Sequence, residues 1–161
     1  MRLFLSSYKF GNHPEKFFDL INEPGSKIAI VSNAADYYAD EDIVEKVKQD
    51  TEIFSEFGYH SERLNLRDYF GKQDELEYKI AEYSALWVRG GNTFILRRAA
   101  EYSGFGEVVK KMLVEDKIVY GGYSAGACLA SLTLHGVELC DDPYTVPEGY
   151  SDEILWDGLG L

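Results

Sequence analysis

Residues 121–130, GGYSAGACLA, set a serine between two glycines as Gly122-Tyr123-Ser124-Ala125-Gly126. A hydroxyl presented in this way can attack a carbonyl carbon if the chain bends sharply enough to expose it and a base takes its proton. Alone the string is weak: with Gly and Ser each at about 7% usage, it arises by chance in roughly one chain in twenty of this length. Its surroundings carry more. The apolar run DKIVY reads as a strand leading in, and Ala125 to Ala130 can open a helix leading out. That is the setting in which a serine stands exposed with helix N-terminal N–H groups aimed at it. The competing reading is a plain helix cap, a common role for serine.

A second stretch, VRGGNT (88–93), closes another apolar run with two glycines. Paired glycines let backbone N–H groups approach a ligand closely. The N–H of Gly91, with that of Ala125, could then hold a developing oxyanion. Alternatively, Gly90 and Gly91 only permit a tight turn before Asn92, where Asn-Thr signals a helix start.

Both stretches must be carried by a scaffold. RLFLSS (2–7), KIAIVS (27–32), ERLNL (62–66), ALWVRG (85–90) and KIVYGG (117–122) read as strands. Between them lie helical patterns near 15–21, 41–58, 74–83, 92–104 and 106–116, and AGACLASLTL (125–134) starts a last helix. Strand–helix alternation with short connections predicts one α/β domain over 1–161: a three-layer sandwich with a mostly parallel sheet flanked by helices. Ligands in such sheets sit beyond the carboxyl ends of the strands. Three loops then share one edge, SNAAD after the second strand, RGGNT after the fourth and GGYSAG after the fifth.

Composition narrows the function. The formal net charge of −12 argues against a nucleic-acid partner or an anionic membrane surface. No window approaches a membrane span, and the start MRLFLSSYKF is too brief for a signal segment. Two cysteines, Cys128 and Cys140, make no disulfide framework, and reduced thiols in a cytoplasmic protein are expected. Three scattered histidines and no paired-ligand spacing give no metal site, and no cofactor motif is present.

IVSNAAD, WVRGGNTFIL and GGYSAGACLA, in this order along the chain, resemble the peptidase E (aspartyl dipeptidase) family of serine peptidases, related to cyanophycinase. The resemblance runs along the whole chain and implies a class I glutamine amidotransferase-like, flavodoxin-like fold. It makes Ser124 the nucleophile and Gly91 and Ala125 the oxyanion-hole donors. Asp141 in CDDPY matches the family's acid, with Asp142 the neighbouring alternative. The implied substrates are small peptides, among them dipeptides with an N-terminal aspartate. Asn92 and Arg89 would line the substrate site, with a structural ion pair the other reading of Arg89. A cysteine nucleophile is disfavoured, because the turn carries Ser124 and Cys128 falls a helical turn later.

A serine also needs a base, normally histidine. Beyond Ser124, His135 would sit at the far end of a ten-residue helix, about 15 Å away. His13 follows the first strand, on the edge of the three loops, and His60 precedes the third strand, on the opposite edge. In the family the histidine lies past a stretch like ILWDGLGL, and this sequence reaches Leu161 before it. The expectation is an enzyme fold lacking its C-terminal part, whose uncovered apolar edge favours a homodimer. The alternative is a catalytically inactive homologue that binds a small ligand.

Overall fold

The computed structural model describes all 161 residues. Five parallel strands form one sheet in the order β1 (Arg2–Ser6), β5 (Val119–Tyr123), β4 (Ala85–Val88), β2 (Lys27–Val31) and β3 (His60–Leu64). The three central strands are almost wholly buried, as their unbroken apolar runs predict for strands covered on both faces. β3 begins two residues earlier than ERLNL suggests, pairing His60 with Lys27 and Leu64 with Val31. Asn65 leaves the strand because its side chain accepts the Arg67 N–H and opens a turn.

Alternate residues of a strand face opposite ways, and the two cores divide accordingly. Helices α1 (Glu15–Ile21) and α2 (Asp40–Glu56) cover Ile28, Ile30, Trp87 and Val119. Helices α3 (Gln73–Ile80), α4 (Thr93–Ser103), α5 (Phe105–Val114) and α6 (Ala125–Leu129) cover Ala29, Val31, Leu86, Val88 and Tyr120. The first face is aromatic: Phe10 stacks on Trp87 with ring centroids 4.1 Å apart, and Phe17 packs 5.1 Å from the same indole. Gly121 leaves that cluster its space, because a Cβ there would overlap the Phe17 ring.

The last helix is shorter than AGACLASLTL predicts. α6 stops at Leu129 because the C-terminal residues take its terminal carbonyls: Leu159 N–H donates to Leu129 (2.7 Å) and Leu161 N–H to Ala130 (3.0 Å). No helix is long and apolar enough to cross a membrane.

Candidate active site

The turns after β2, β4 and β5 meet at one edge of the sheet, as the sequence predicts. Arg89 N–H donates to Val31 (2.9 Å) and Asn92 N–H to Ala34 (2.8 Å), so the turn after β4 is stitched to the turn after β2. Gly91, at φ +150°, lies so close that any side chain would overlap the Ala34 carbonyl. Across from it the chain leaves β5 at Ser124, whose N–H donates to Ser6 at the end of β1 (3.1 Å).

Ser124 adopts φ +50°, ψ −116°, a conformation that costs a residue with a Cβ about 1–3 kcal/mol. It is the single exposed residue between Ile118 and Gly126. Its side chain makes no capping bond to α6, which removes the reading of a plain helix cap. Gly122 and Gly126 are needed sterically: a Cβ on Gly122 would stand 2.6 Å from the Gly126 oxygen, and one on Gly126 would overlap the Val88 carbonyl. Neither the Gly91 nor the Ala125 N–H is taken by an acceptor in the protein. Two free amides therefore flank an exposed hydroxyl.

Ser124 and Gly91 open onto a cavity of about 370 Å³ whose walls also include Tyr37, Asn92, Cys140, Asp141 and Asp142. Asn92 caps α4, its Oδ1 accepting from Phe94 (2.9 Å) and Ile95 (3.1 Å), while its Nδ2 donates to the Asp142 carbonyl (2.8 Å). Asp141 accepts from Thr93 N–H (2.9 Å) and Thr93 Oγ1 (2.5 Å) at the α4 N-terminus. Asp142 uses its carboxylate on its own turn, accepting from Tyr144 N–H (3.0 Å) and Thr145 Oγ1 (2.9 Å), and these bonds hold its pKa low. Of the two acids, Asp141 is the one tied to the element behind the serine.

Arg89 does not join this cavity. It is buried and ion-pairs with Asp50 of α2, Nε to Oδ2 2.6 Å, while its backbone leads into Gly90. The histidines also stay apart from Ser124. His13 is exposed and contacts Glu15 (3.0 Å), and His60 opens β3 at the opposite edge. His135 does not ride the end of a long helix, since α6 is only five residues; it stacks on Trp156 with centroids 4.6 Å apart.

The model of Peptidase family S51 matches residues 3–161. The chain belongs to that family. No curated protein matches the sequence. Among solved structures, a protein described as a candidate peptidase E from Listeria monocytogenes EGD-e superposes with a TM-score of 0.77 at 22% identity, covering 98% of this chain and 73% of that one. A peptidase from an acI-B1 Actinobacterium gives 0.62 at 18% identity, over 81% of this chain and 57% of that one. These likenesses establish the fold, an S51 α/β sandwich of the flavodoxin-like kind.

Three further residues of the S51 chain belong to the site and escape sequence reading. Tyr37 faces the cavity, and burial, with Tyr38 and Asp141 nearby, pushes its hydroxyl up to about 12. Thr93 carries Asp141, and Cys140 supplies a thiol to the cavity wall. The SNAAD loop points toward Tyr37 without singling it out. Asp50 does leave a signal: it falls on the apolar stripe Ile43, Val47, Asp50, Phe54, where a carboxylate needs a partner.

Proposed function

We propose that the chain is a serine-type peptidase acting on small peptides, dipeptides with an N-terminal aspartate among them. One observation carries this reading: an exposed, strained Ser124 without a capping role, beside the unspent N–H groups of Gly91 and Ala125. Ser124 Oγ attacks the scissile carbonyl, and the carbonyl oxygen, now anionic, receives the two N–H groups. Each such donor is worth roughly 10²–10³ in rate because it is already in place when charge develops. Asn92 and Tyr37 border the cavity that takes the peptide, and Asp141 is proposed as the acid of the triad. A histidine base oriented by Asp141, a role that none of His13, His60 and His135 takes at this cavity, would accept the Ser124 proton and hand it to the amine as the tetrahedral species collapses, leaving an acyl-serine for water to hydrolyse. The cavity of about 370 Å³ is on the scale of a dipeptide rather than a folded chain.

A second reading, a binding module that turns nothing over, is favoured by the positions of His13, His60 and His135, none of which lines the cavity. A fluorophosphonate probe separates the two. Covalent labelling that maps to Ser124 and vanishes in Ser124→Ala supports the peptidase. Peptide binding without labelling supports the module.

A further inference from the structure

Four of the eight residues around the Ser124 cavity, Cys140, Asp141, Asp142 and Thr145, lie on a stretch that forms no helix or strand. Between Asp141 and Glu153 only two N–H groups donate to backbone, Asp141 to Val137 (2.9 Å) and Tyr150 to Pro147 (3.2 Å). The stretch is held from outside, by α4. Asn92 donates to the Asp142 carbonyl and Thr93 to the Asp141 carboxylate. Arg98, about 7.5 Å further along the helix axis, donates to three carbonyls: Nη2 to Pro143 (2.7 Å), Nη1 to Thr145 (3.3 Å) and Nε to Glu153 (2.8 Å). The two ends of the excursion 143–153 therefore meet on one guanidinium.

Arg2, Arg63, Arg89 and Arg97 each stand beside an acid. Arg98 is 0% exposed and pairs with none. It also stays off the cavity wall. Burying a cation without a counter-charge is expensive, and apolar residues in place of buried ionic groups are often neutral or stabilising. Position 98 lies in the buried part of α4 with Phe94, Ile95 and Ala99, where an aliphatic chain would fit the surroundings. Stability alone therefore gives no reason for a guanidinium here. Geometry gives one: five donors in a rigid plane gather carbonyls from separate points of a chain into one arrangement, which a lysine ammonium does not.

We propose that Arg98 is a positioning residue of the Ser124 site: it closes the loop 143–153 and so sets Asp141 against Thr93, without touching the cavity itself. The proposal rests on the peptidase reading, in which Asp141 is the acid, and adds to it the residue that fixes where that acid stands.

The test reads the acid's place and the serine's reactivity separately, in the full chain. Thr93 N–H opens α4, where no intrahelical acceptor exists, and donates to the Asp141 carboxylate. Its hydrogen exchange, followed by NMR, therefore reports on Asp141 without any reaction. In Arg98→Met that exchange is expected to quicken about tenfold or more, while the amides of β2 and β4 keep their rates. Arg98→Lys keeps the charge and the long stem but not the planar fork; it is expected to fall between, and it carries the comparison if Arg98→Met fails to fold. Fluorophosphonate labelling of Ser124 is expected to slow about tenfold in Arg98→Met, yet by less than about twofold when Asp141 is already alanine, since no carboxylate is then left to misplace. An arginine that only stabilises the fold would lower the urea midpoint and leave the labelling rate of the folded chain alone. Unchanged Thr93 exchange, exchange that rises equally at all amides, a lysine as good as the arginine, or one labelling factor in both backgrounds overturns the assignment. Selective loosening of Thr93 in chains whose Ser124 never takes the probe leaves Arg98 as the residue that places Asp141 and overturns the peptidase reading alone.

Discussion

Gly90→Ala tests whether the serine is held as described. Gly90 has ordinary backbone angles, so an alanine there adds no conformational strain. Its Cβ would stand 2.9 Å from Ser124 Cβ and 2.9 Å from Tyr123 Cε2, whereas ordinary van der Waals contact begins at 3.4 Å. Tyr123 is buried and cannot swing aside. Ser124 is pinned through its N–H to Ser6 and through its carbonyl, which accepts from Ala127 (2.9 Å) and Cys128 (2.9 Å). Some part of the turn must therefore shift by about half an ångström. Overpacking of this kind costs about 1–3 kcal/mol. Since a misplacement of about 1 Å can cost a hundredfold in rate, the half-ångström shift is expected to slow fluorophosphonate labelling of Ser124 roughly tenfold. Gly136→Ala is the control: at φ +99° it introduces strain of about 1–2 kcal/mol, yet nothing lies within 4 Å of the new methyl. It is expected to lower the urea midpoint and leave labelling unchanged. A folded Gly90→Ala chain that labels at the wild-type rate would refute the packing of Ser124 against the Gly90 turn.

Three other perturbations probe the frame around the turn. Asp141→Ala removes the carboxylate that accepts from Thr93 N–H and Oγ1 at the start of α4, and is expected to cost about 1–2 kcal/mol in urea unfolding; unchanged stability would mean that the contact is idle. Burial raises the pKa of Asp50 despite the opposing charge of Arg89. Above the unfolded carboxylate range the folded chain therefore keeps a proton that the unfolded chain has lost, so this group's contribution falls as pH rises through the window up to the raised value. The difference in urea midpoint between wild type and Asp50→Asn should show that slope as pH rises above the unfolded carboxylate value of about 4, and a flat difference would sink the assignment. Burial also pushes the Cys128 thiol up, whereas Cys140 is exposed. Iodoacetamide at pH 8 should modify Cys140 at least about tenfold faster than Cys128 by peptide mass mapping, and the reverse order would contradict the placement of both thiols.

The frame was readable where a local rule governs. KIAIV and ALWV announce strands covered on both sides, and Asn92 with Gly104 brackets α4 where capping chemistry says it should. Ser124, Gly91 and Ala125 were readable because a strand, two glycines and a helix start must converge for either stretch to make sense. What stayed hidden depends on partners far along the chain. The end of α6 is set by Leu159 and Leu161, some thirty residues later, and no pattern within AGACLASLTL encodes that. Arg89 could be placed at a strand end, but its buried partner sits on a helix nearly forty residues upstream. Tyr37 and Thr93 look like ordinary loop and helix-start residues until the fold sets Tyr37 on the cavity wall with Ser124 and bonds Thr93 to Asp141.

The conformation of Ser124 separates it from an ordinary helix start, because the molecule also contains one of those. Asn92 begins α4 in the ordinary extended region, φ −85°, ψ 117°, and spends its side chain on two N–H groups. Ser124 begins α6 at φ +50° and spends its side chain on none. Strain of that kind persists only where neighbours over-determine the backbone. Here the Gly126 carbonyl closes on Gly122, the Val88 carbonyl on Gly126 and the Ala34 carbonyl on Gly91, while Ser6 holds the Ser124 N–H. Each approach tolerates only glycine at the facing position, and together they draw the ends of β1, β2, β4 and β5 onto one hydroxyl. A cap requires none of this. A serine that served only to start a helix would sit as Asn92 does; Ser124 shares with Asn92 its place in the element and nothing of its geometry.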